Sequence, residues 1–373
     1  MAKSLGLYVH LPFCRRKCAY CDFPSYAGRL ALREAYTDRV CDEIAGRAKE
    51  WGRLEADTVY LGGGTPSLME PSQIARILRQ LGECFRIRTD AEISCEANPG
   101  TLKADFLETL RKNGVNRLSI GAQSADEAEL RLLGRIHSWE QVEETVIKAR
   151  GAGFSNISLD LMSALPGQTW EHLKETLKRA LALEITHLSV YSLIIEEGTP
   201  FYERQLRGEL ALPDEEAERE MYWNTAEMLE EAGFEQYEIS SFARPGFRCR
   251  HNVNCWNREE YLGFGASSAG FFRHQRWRNP AGLEKYLAGQ EPETERVTPE
   301  SARFERLMLG LRLKDGVSLK DFRDEFGVEI PGAYPEALEA NLLRGLLEIR
   351  EGRLRLTRRG MDLMDRVLLD FLP

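Results

Sequence analysis

Short runs of apolar residues alternate along this chain with longer stretches in which apolar residues recur at helical spacing. The short runs predict six strands, at residues 5–12, 57–64, 91–99, 117–124, 156–167 and 187–200. The longer stretches predict helical segments at residues 31–51, 72–85, 103–114, 128–152, 169–184 and 221–234. Apolar strands that alternate with helices indicate a parallel sheet with right-handed crossovers. Six units are fewer than the eight of a closed barrel, so we predict an α/β fold built as a partial (β/α)6 barrel.

The C-terminal part of the chain, from about Thr298, follows a different pattern. Its amphipathic segments predict helices that close on a short hairpin around Glu351 and Gly352, a layout like that of a winged helix. Four nearby arginines invite a DNA-binding interpretation: Arg353, Arg355, Arg358 and Arg359. Acidic residues are interleaved through the flanking helices, however, and a small helical cap over the barrel explains the pattern equally well.

We therefore predict three parts of the chain: a partial barrel at residues 1–235, a connecting segment at residues 236–297, and a small helical, winged-helix-like domain at residues 298–373. The length of 373 residues suits one large domain and a smaller one, and 43% hydrophobic residues suffice for a sizeable core. The net charge of −9 counts against nonspecific nucleic-acid binding as the main role.

The sequence also bounds the expected compartment. The chain has no run of about 18 apolar residues, so the sequence predicts no membrane span. A peripheral contact is then the only membrane association that we consider. The first residues, MAKSLGLYVHLPF, lack the long apolar core of a secretory signal. We expect a cytoplasmic protein, because a reducing compartment keeps cysteine thiols available for metal binding.

Candidate chemistry follows the predicted strands, at the edge where parallel α/β folds bind ligands. A cysteine-rich loop comes after the first strand. Glycine and polar residues end or follow the next four strands: Gly62 to Pro66, then Glu96 and Asn98, then Gln123, then Asp160 with Pro166 to Gln168. A glycine cluster alone marks a turn as often as a site. Five strand ends that carry such groups predict one shared binding site.

The cysteine-rich loop carries Cys14, Cys18 and Cys21 as Cys-x3-Cys-x2-Cys. Iron–sulfur clusters are held by cysteine thiolates, normally four. A [4Fe–4S] cluster held by three would keep one iron free to bind a small molecule. The alternative is a structural zinc site with His10 as the fourth ligand, although such sites usually pair their ligands. A disulfide framework is disfavoured, because eight cysteines in 373 residues are not dense.

The spacing of these cysteines, with Tyr20 and Phe23 beside them, resembles the signature of the radical S-adenosylmethionine (SAM) enzymes. Further motifs resemble the oxygen-independent coproporphyrinogen oxidases and their relatives: LYVHLPFCxxxCxYC, LGGGTPSL, EANPGT, RLSIGAQS, LLGRIHS, SLDLMSALPGQT and YEISSFARPG. The likeness runs from about Leu5 to at least Leu262, and continues in the C-terminal tail. It implies a [4Fe–4S] cluster whose free iron binds SAM. In that superfamily, one electron from the cluster cleaves SAM to a 5′-deoxyadenosyl radical.

The resemblance also implies which residues contact SAM: Tyr8, Gly64, Thr65, Glu96, Gln123, Arg135 and Asp160. Carboxylates such as Glu96 and Asp160 can accept hydrogen bonds from an ammonium group or from ribose hydroxyls. For Arg135, a salt bridge on a helix surface is the alternative. Asp160 stands in an apolar run, where a buried carboxylate needs partners.

One position divides the family. The decarboxylating oxidases carry a further cysteine two residues after the third cluster cysteine, and Phe23 stands there in this chain. In carrying phenylalanine at this position, the chain resembles the branch of HemW-type heme chaperones. We count Phe23 among the cofactor-binding positions. The resemblance to that branch implies a protein that keeps the cluster and SAM, binds heme and passes it to recipient hemoproteins. A low-potential electron donor is a further expected partner.

The heme chaperones also carry a His-Asn-x-x-Tyr-Trp motif implicated in heme binding. Here His251, Asn252 and Trp256 match it, whereas Cys255 replaces the tyrosine and Ala269 replaces a histidine that usually follows. An imidazole or a thiolate can be an axial ligand of heme iron, so His251 is a candidate heme contact. The alternative is a hydrogen-bonded histidine that only supports the barrel.

Three functions remain in view at this stage. The first is a SAM- and cluster-binding heme chaperone. The second is a radical enzyme that oxidatively decarboxylates coproporphyrinogen III, against which Phe23 counts. The third is a metal-stabilised nucleic-acid-binding module, against which the net charge counts. The sequence leaves open whether the protein cleaves SAM, and therefore whether it is an enzyme.

Overall fold

The computed structural model describes residues 5–372. The strands of this part are β1 (Leu5–Leu11), β2 (Phe13–Cys14), β3 (Tyr26–Ala27), β4 (Glu55–Gly63), β5 (Arg86–Ala97), β6 (Arg117–Gln123), β7 (Asn156–Ser163), β8 (His187–Ser192), β9 (Glu235–Gln236), β10 (Ser241–Ala243), β11 (Glu260–Phe264), β12 (Ala269–Phe272), β13 (Gln275–Arg278), β14 (Glu293–Arg296), β15 (Val317–Ser318), β16 (Leu347–Arg350) and β17 (Arg353–Leu356). Its helices are α1 (Arg33–Trp51), α2 (Pro71–Cys84), α3 (Ala104–Lys112), α4 (Glu127–Leu133), α5 (Trp139–Gly151), α6 (Trp170–Leu181), α7 (Pro200–Leu206), α8 (Glu215–Glu231), α9 (Arg250–Trp256), α10 (Leu283–Leu287), α11 (Pro299–Gly310), α12 (Leu319–Phe326), α13 (Ile330–Ala333), α14 (Pro335–Leu343), α15 (Arg358–Asp362) and α16 (Met364–Leu369).

Six parallel strands form the centre of the molecule, in the order β1, β4, β5, β6, β7, β8. At least one helix follows each of these strands along the chain. The predicted partial (β/α)6 barrel is therefore confirmed, and the six predicted strands all exist. The region predicted as helical at residues 128–152 is two helices, α4 and α5. Gly134 separates them in the left-handed conformation with φ 75°, which terminates α4.

The central strands differ from the continuous apolar runs expected from the sequence, because their two faces are chemically distinct. Apolar residues such as Leu7, Val59 and Leu118 are fully buried against the helices. The opposite face is polar. The strand register sets Glu96 of β5 beside Ser119 of β6, and Asp160 of β7 beside Ser189 of β8. Residues of a strand alternate between its faces, so each strand supplies the apolar core and the polar barrel interior at once.

The segment predicted as a connection, residues 236–297, supplies strands to both edges of the sheet. At one edge β10 pairs antiparallel with β8, and β9 pairs with β10. At the other edge β11 lies parallel to β1, and β12, β13 and β14 follow as an antiparallel meander. The sheet of the described residues thus has twelve strands. These added strands have two to five residues each, too few for a periodic signal in the sequence.

The C-terminal domain has a separate hydrophobic core and a three-stranded sheet in the order β15, β17, β16. The predicted hairpin turn lies at Glu351 and Gly352, which have φ of 53° and 71°. Positive φ at both central residues is the conformation of a type I′ hairpin turn. Together with helices α11 to α14, this hairpin gives the predicted winged-helix-like layout.

Arginines of the hairpin region bind within the chain. Arg353 donates to the carbonyl oxygen of Asp315 at 2.6 Å, and Arg355 pairs with Glu348 at 2.9 Å. Arg358 lies over the ring of Trp223 on α8, 4.1 Å from its centroid. The contact of Arg358 with Trp223 ties the C-terminal domain to the barrel, as expected of a helical cap, whereas the other two contacts lie within the domain. No described helix combines the length and apolar character needed to cross a lipid bilayer.

Candidate cluster and cofactor site

A cavity of about 600 Å³ opens at the C-terminal ends of the central strands. Ten of the predicted site residues line it: Cys14, Cys18, Cys21, Phe23, Gly64, Thr65, Glu96, Gln123, Arg135 and Asp160. Tyr8 and His251 are not among its lining residues. The volume lies within the usual range for small-molecule sites.

The cysteine loop is held in place from three sides. Its beginning and end pair as β2 and β3, with Cys14 opposite Ala27. At its centre, the backbone N–H of Ala19 donates to the carbonyl of Leu133 at 2.9 Å, and the N–H of Phe201 donates to the carbonyl of Ala19 at 3.0 Å. All three cysteines are free thiols and partly exposed at the cavity. Fixed backbone contacts therefore present the thiols on one wall.

The donor set suits a cluster better than a single zinc ion. In the part of the chain that the structure describes, no three His, Cys, Asp or Glu side chains converge on one metal position. His10, the fourth ligand of the zinc alternative, uses both ring nitrogens elsewhere. Its Nδ1 bonds the Tyr8 hydroxyl at 3.0 Å and its Nε2 lies 2.8 Å from the Pro24 carbonyl. A cluster binds each cysteine through a different iron, so three thiols that line one cavity need not converge on a single metal position.

A chain of hydrogen bonds joins two of the cluster cysteines to the strand ends. The Cys14 thiol lies 3.7 Å from the Thr65 hydroxyl, which accepts from the Asn98 amide at 2.8 Å. Arg135 donates to the Asn98 side-chain oxygen at 2.7 Å, and its other terminal nitrogen lies 3.6 Å from the Cys18 sulfur. Arg135 belongs to the loop after α4 and makes no ion pair with a described residue, so the surface salt bridge considered for it is wrong.

Two carboxylates lie deeper in the cavity. Glu96 accepts from the Tyr60 hydroxyl at 2.9 Å and from the Gly63 N–H at 3.0 Å. Burial, and secondarily the negative charge of Asp160, raises the pKa of Glu96 to about 7. Asp160 accepts from the Ser119 hydroxyl at 3.2 Å, and burial raises its pKa as well. Two carboxyl groups with raised pKa values favour a cationic ligand between them, because its charge would stabilise their ionised forms.

Two residues at the strand ends of the site have a positive backbone φ angle. Gln123 has φ 67°, and the register of β6 against β7 shifts just before it, as in a β-bulge. Gly63 has φ 109°, and a Cβ atom there would lie 2.3 Å from the His10 ring. Such conformations cost free energy and concentrate at ligand sites. Only glycine can both adopt this backbone and leave room for His10.

Sequence reasoning missed several residues of the cavity. Tyr60 holds Glu96 and Ser119 holds Asp160, whereas Asn98, which the sequence placed at a strand end of the site without a specific role, holds Arg135. Arg117 also lines the cavity, although it is only 1% exposed, and its Nε and Nη1 atoms have no hydrogen-bond partner. The signal available in the sequence was the period of two along each strand, which sets these positions on the face of Glu96 and Asp160. A buried donor without a partner fits a cavity built for a polar ligand.

The two predicted residues outside the cavity lining have partners of their own. The Tyr8 ring stacks on that of Tyr60, with centroids 6.2 Å apart. His251 lies on α9, which covers the N-terminal ends of β1 and β4, opposite the cysteine loop. The ring Nδ1 of His251 lies 2.9 Å from the Thr58 hydroxyl, and its backbone N–H donates to the Glu92 carboxylate. Burial lowers the pKa of the imidazole to about 4. Its neighbour Asn252 does line the cavity.

Comparisons with known proteins agree with this architecture. The radical SAM superfamily pattern matches residues 8–180, and that of the HemN C-terminal domain matches residues 297–363. The heme chaperone HemW of Bacillus subtilis is 37% identical over 98% of both chains, and that of Escherichia coli is 35% identical over 85% of both. The structure of coproporphyrinogen III oxidase (HemN) from Escherichia coli, described as a radical SAM enzyme, superposes with a TM-score of 0.85 at 25% identity, over 99% of this chain and 90% of that one.

The geometry of the site and the comparisons indicate the same protein family. Three thiols on a loop after the first strand, and polar strand ends around one cavity, are the arrangement expected of a protein that holds a [4Fe–4S] cluster and SAM. The identity to HemW proteins extends over nearly the whole chain, the C-terminal domain included. This chain therefore belongs to the HemW family of the radical SAM superfamily.

Proposed function

We propose that this protein binds heme and hands it to recipient hemoproteins, while it holds a [4Fe–4S] cluster and SAM in the barrel cavity. The observation that carries the proposal is the pairing of a retained cofactor cavity with Phe23. The oxidases to which the sequence is similar carry a cysteine at that position, and here an apolar side chain, 61% exposed, lines the cavity mouth. The relatives named heme chaperone HemW support the same interpretation.

Roles in cofactor binding follow from the geometry of the cavity. Cys14, Cys18 and Cys21 would hold the cluster as thiolates. When bound, the cluster would supply an electron at the SAM sulfonium. Glu96 and Asp160 would accept hydrogen bonds from the ammonium or ribose groups of SAM, with Tyr60 and Ser119 orienting the two carboxylates.

The remaining predicted contacts lie around the same ligand. Arg135 would donate to the SAM carboxylate from the position that Asn98 fixes. The glycine turn at Gly64 and Thr65, and the bulged end of β6 at Gln123, would contact SAM from the strand ends. Tyr8 would act through Tyr60, on whose ring it stacks.

The oxidase function is the second candidate, and the superposition on coproporphyrinogen III oxidase is the observation that favours it. Decarboxylation of propionate groups requires the substrate to be fixed close to the reacting carbon of SAM. The replacement of the oxidase cysteine by Phe23 changes the side of the cavity that faces a substrate. A carrier needs only an apolar surface and a ligand for heme iron, and Phe23 supplies exposed apolar surface at the cavity mouth.

His251 is the heme contact predicted from the family motif. Its ring is buried and its Nδ1 is bonded to Thr58, so coordination of heme iron would use Nε2 and would require the buried ring to become accessible. Asn252, the next residue of the motif, faces the cavity instead. Heme binding is therefore measured separately from the role of the His251 motif.

Anaerobic reconstitution with iron and sulfide, followed by two separate assays, tests the proposal. We expect saturable binding of one heme, seen as a shifted Soret band, and heme transfer to an apo-hemoprotein such as apomyoglobin. We expect little or no conversion of coproporphyrinogen III in the presence of SAM and a low-potential reductant. Robust decarboxylation without measurable heme binding would overturn the chaperone proposal in favour of the oxidase.

A further inference from the structure

Four exposed apolar side chains surround the mouth of the cavity. They are Phe23, Ile136, Tyr191 and Ile194, with exposed fractions between 42% and 70%. Eleven large apolar side chains among the described residues are at least 42% exposed, and four of them line this one opening. Soluble proteins rarely collect exposed apolar groups in one place without a binding partner.

These four side chains come from three separate segments of the chain. Phe23 belongs to the cysteine loop, Ile136 to the loop after α4, and Tyr191 and Ile194 to the end of β8 and the loop beyond it. Tertiary structure alone brings them together. We call this set the apolar rim.

The apolar rim differs chemically from the floor beneath it. The floor carries Glu96, Asp160 and Arg117, and it suits a polar, charged ligand such as SAM. The rim offers apolar surface contributed by three segments of the chain. The cavity thus has two layers that suit two different ligands, one small and polar below and one apolar and broad above.

Charged residues at the mouth indicate the charge of the upper ligand. Arg15, Arg16 and Lys17 are exposed, line the same opening, and make no ion pair with any residue the structure describes. Asp22 and Glu196 also line the opening, so cations exceed anions there by one. Deeper in the cavity the two carboxylates of Glu96 and Asp160 are balanced by the guanidinium groups of Arg117 and Arg135, so the excess positive charge lies at the mouth, where it would attract negative groups of the upper ligand.

We infer that the apolar rim, with Arg15 and Arg16, is the docking site of heme on this protein. The planar macrocycle lies on Phe23, Ile136 and Ile194, and its two propionates pair with the arginines. Arginine suits this role because its guanidinium group binds carboxylates with two parallel hydrogen bonds. The inference rests on the proposed function, since it concerns where the heme of that function binds.

Heme fits this surface better than a protein or a membrane does. The apolar groups surround a concave opening, which a flat disc of heme's size can cover and a lipid surface cannot follow. An acidic protein, such as an electron donor, would pair with the basic residues but would leave the isoleucines in water. Heme alone of the three combines a broad apolar face with two carboxylates at one edge.

The test compares two rim variants with two matched controls, all as full-length, reconstituted protein. Ile194→Asp introduces a carboxylate into the rim, and Ile147→Asp does the same on the exposed face of α5. Arg15→Glu/Arg16→Glu reverses the charge at the mouth, and Lys49→Glu/Lys103→Glu reverses two exposed lysines elsewhere. Iron content and SAM binding are measured for each variant, so that damage to the cofactor site is detected.

A second probe isolates the role of the propionates. Heme and its dimethyl ester are titrated in parallel. We expect Ile194→Asp to weaken both ligands by about tenfold, because a carboxylate would be desolvated against the macrocycle. We expect Arg15→Glu/Arg16→Glu to weaken heme by about three- to tenfold, as for exposed ion pairs, but to leave the ester almost unaffected. Both control variants should bind heme within about twofold of the parent protein, as expected for exposed substitutions away from the site.

The outcomes separate this inference from the function it rests on. Parent protein that binds no heme would overturn the proposed function itself. Parent protein that binds one heme, with both rim variants binding it equally well, would leave that function standing and overturn the rim as its site. An equal loss of heme and ester affinity in the arginine variant would overturn the pairing of propionates with Arg15 and Arg16.

Discussion

Arg135 donates from Nη2 to the side-chain oxygen of Asn98 at 2.7 Å, and this bond fixes a cation beside the cysteine loop. The same nitrogen lies 2.6 Å from the Gly121 carbonyl, so the guanidinium is held from β5 and β6 at once. The Asn98 amide donates in turn to Thr65. One side chain at the end of β5 therefore orients groups on both sides of the proposed SAM site, although it is not itself a predicted ligand.

Replacement of Asn98 tests this positioning role. Asn98→Leu keeps the size of the side chain but leaves Arg135 with the Gly121 carbonyl alone as the acceptor for this nitrogen. A hydrogen bond to a charged group contributes about 1.5–3 kcal/mol, so we expect SAM binding to weaken by about tenfold or more. The cluster iron content should remain at that of the parent protein. Asn113→Leu is the matched control, because Asn113 bonds only at the end of α3; unchanged SAM affinity in Asn98→Leu would contradict the role.

The cluster ligands make a second prediction. Cys14→Ala, Cys18→Ala and Cys21→Ala should each abolish the iron and the brown colour of reconstituted protein. Cys41→Ala and Cys84→Ala should leave both unchanged, because these thiols pack beside the helices of the barrel. The reduced parent protein should give an electron paramagnetic resonance signal that SAM perturbs. Stoichiometric zinc with no reconstitutable iron would show the cluster assignment to be wrong.

The raised pKa of Glu96 predicts a pH dependence of SAM binding. With a pKa of about 7, Glu96 is largely ionised above pH 7 and largely protonated below it. Arg117 favours the ionised form and Asp160 opposes it. Affinity for a cationic ligand should therefore fall by up to about tenfold between pH 8 and pH 6, since each pH unit below a pKa removes about nine-tenths of the charged form.

Glu96→Gln is the control for this pH dependence. It removes the titrating group, whereas the titration of SAM itself is common to both proteins. The variant should bind SAM weakly at every pH, with a flatter profile than the parent protein. Parallel profiles for the two proteins, measured by isothermal titration calorimetry, would assign the pH dependence to another group.

Much of the barrel could be predicted because its strands and helices are local patterns. The six strands each contain enough residues to show their period, and the motifs at their ends lie next to them in the sequence. The strands of residues 236–297 could not be found this way. Strand β11 pairs with β1 across more than 250 residues of chain, and nothing in its five residues specifies that partner.

The residues of the site also fall into two groups, those that sequence motifs identify and those that only the fold brings together. Cys14, Glu96 and Asp160 belong to motifs, and their residue types indicate their chemistry, a thiolate ligand and two carboxylate acceptors. Arg117 carried no signal in the sequence, and Asn98 was recognisable only as a polar residue at a strand end, because only the folded chain brings their partners near. The placement of His251 against Thr58, rather than in the cavity, likewise depends on how α9 closes the barrel.

His251→Ala separates packing from heme contact. The ring is buried and bonded to Thr58, so its removal leaves a cavity and an unpaired hydroxyl. We expect the melting temperature to fall by several degrees while cluster iron is retained. The predicted heme contact requires, in addition, a loss of heme affinity and an altered Soret band. Heme binding equal to that of the parent protein would assign His251 to packing alone; His172→Ala, at a largely exposed position on α6, is the control.

Gly63→Ala tests whether the glycine turn is built around His10. Gly63 has φ 109°, and an added Cβ would lie 2.3 Å from the imidazole, which is held by Tyr8 and Pro24. Backbone strain and the clash together should cost about 2–4 kcal/mol and displace the N–H that donates to Glu96. Gly28→Ala is the matched control, because Gly28 has φ 75° but open space around the added atom. We expect Gly63→Ala to lower the melting temperature more than Gly28→Ala and to weaken SAM binding, whereas the control should keep the parent affinity. Equal effects of the two substitutions on both measurements would show that backbone strain alone, and not the contact with His10, requires glycine at this turn.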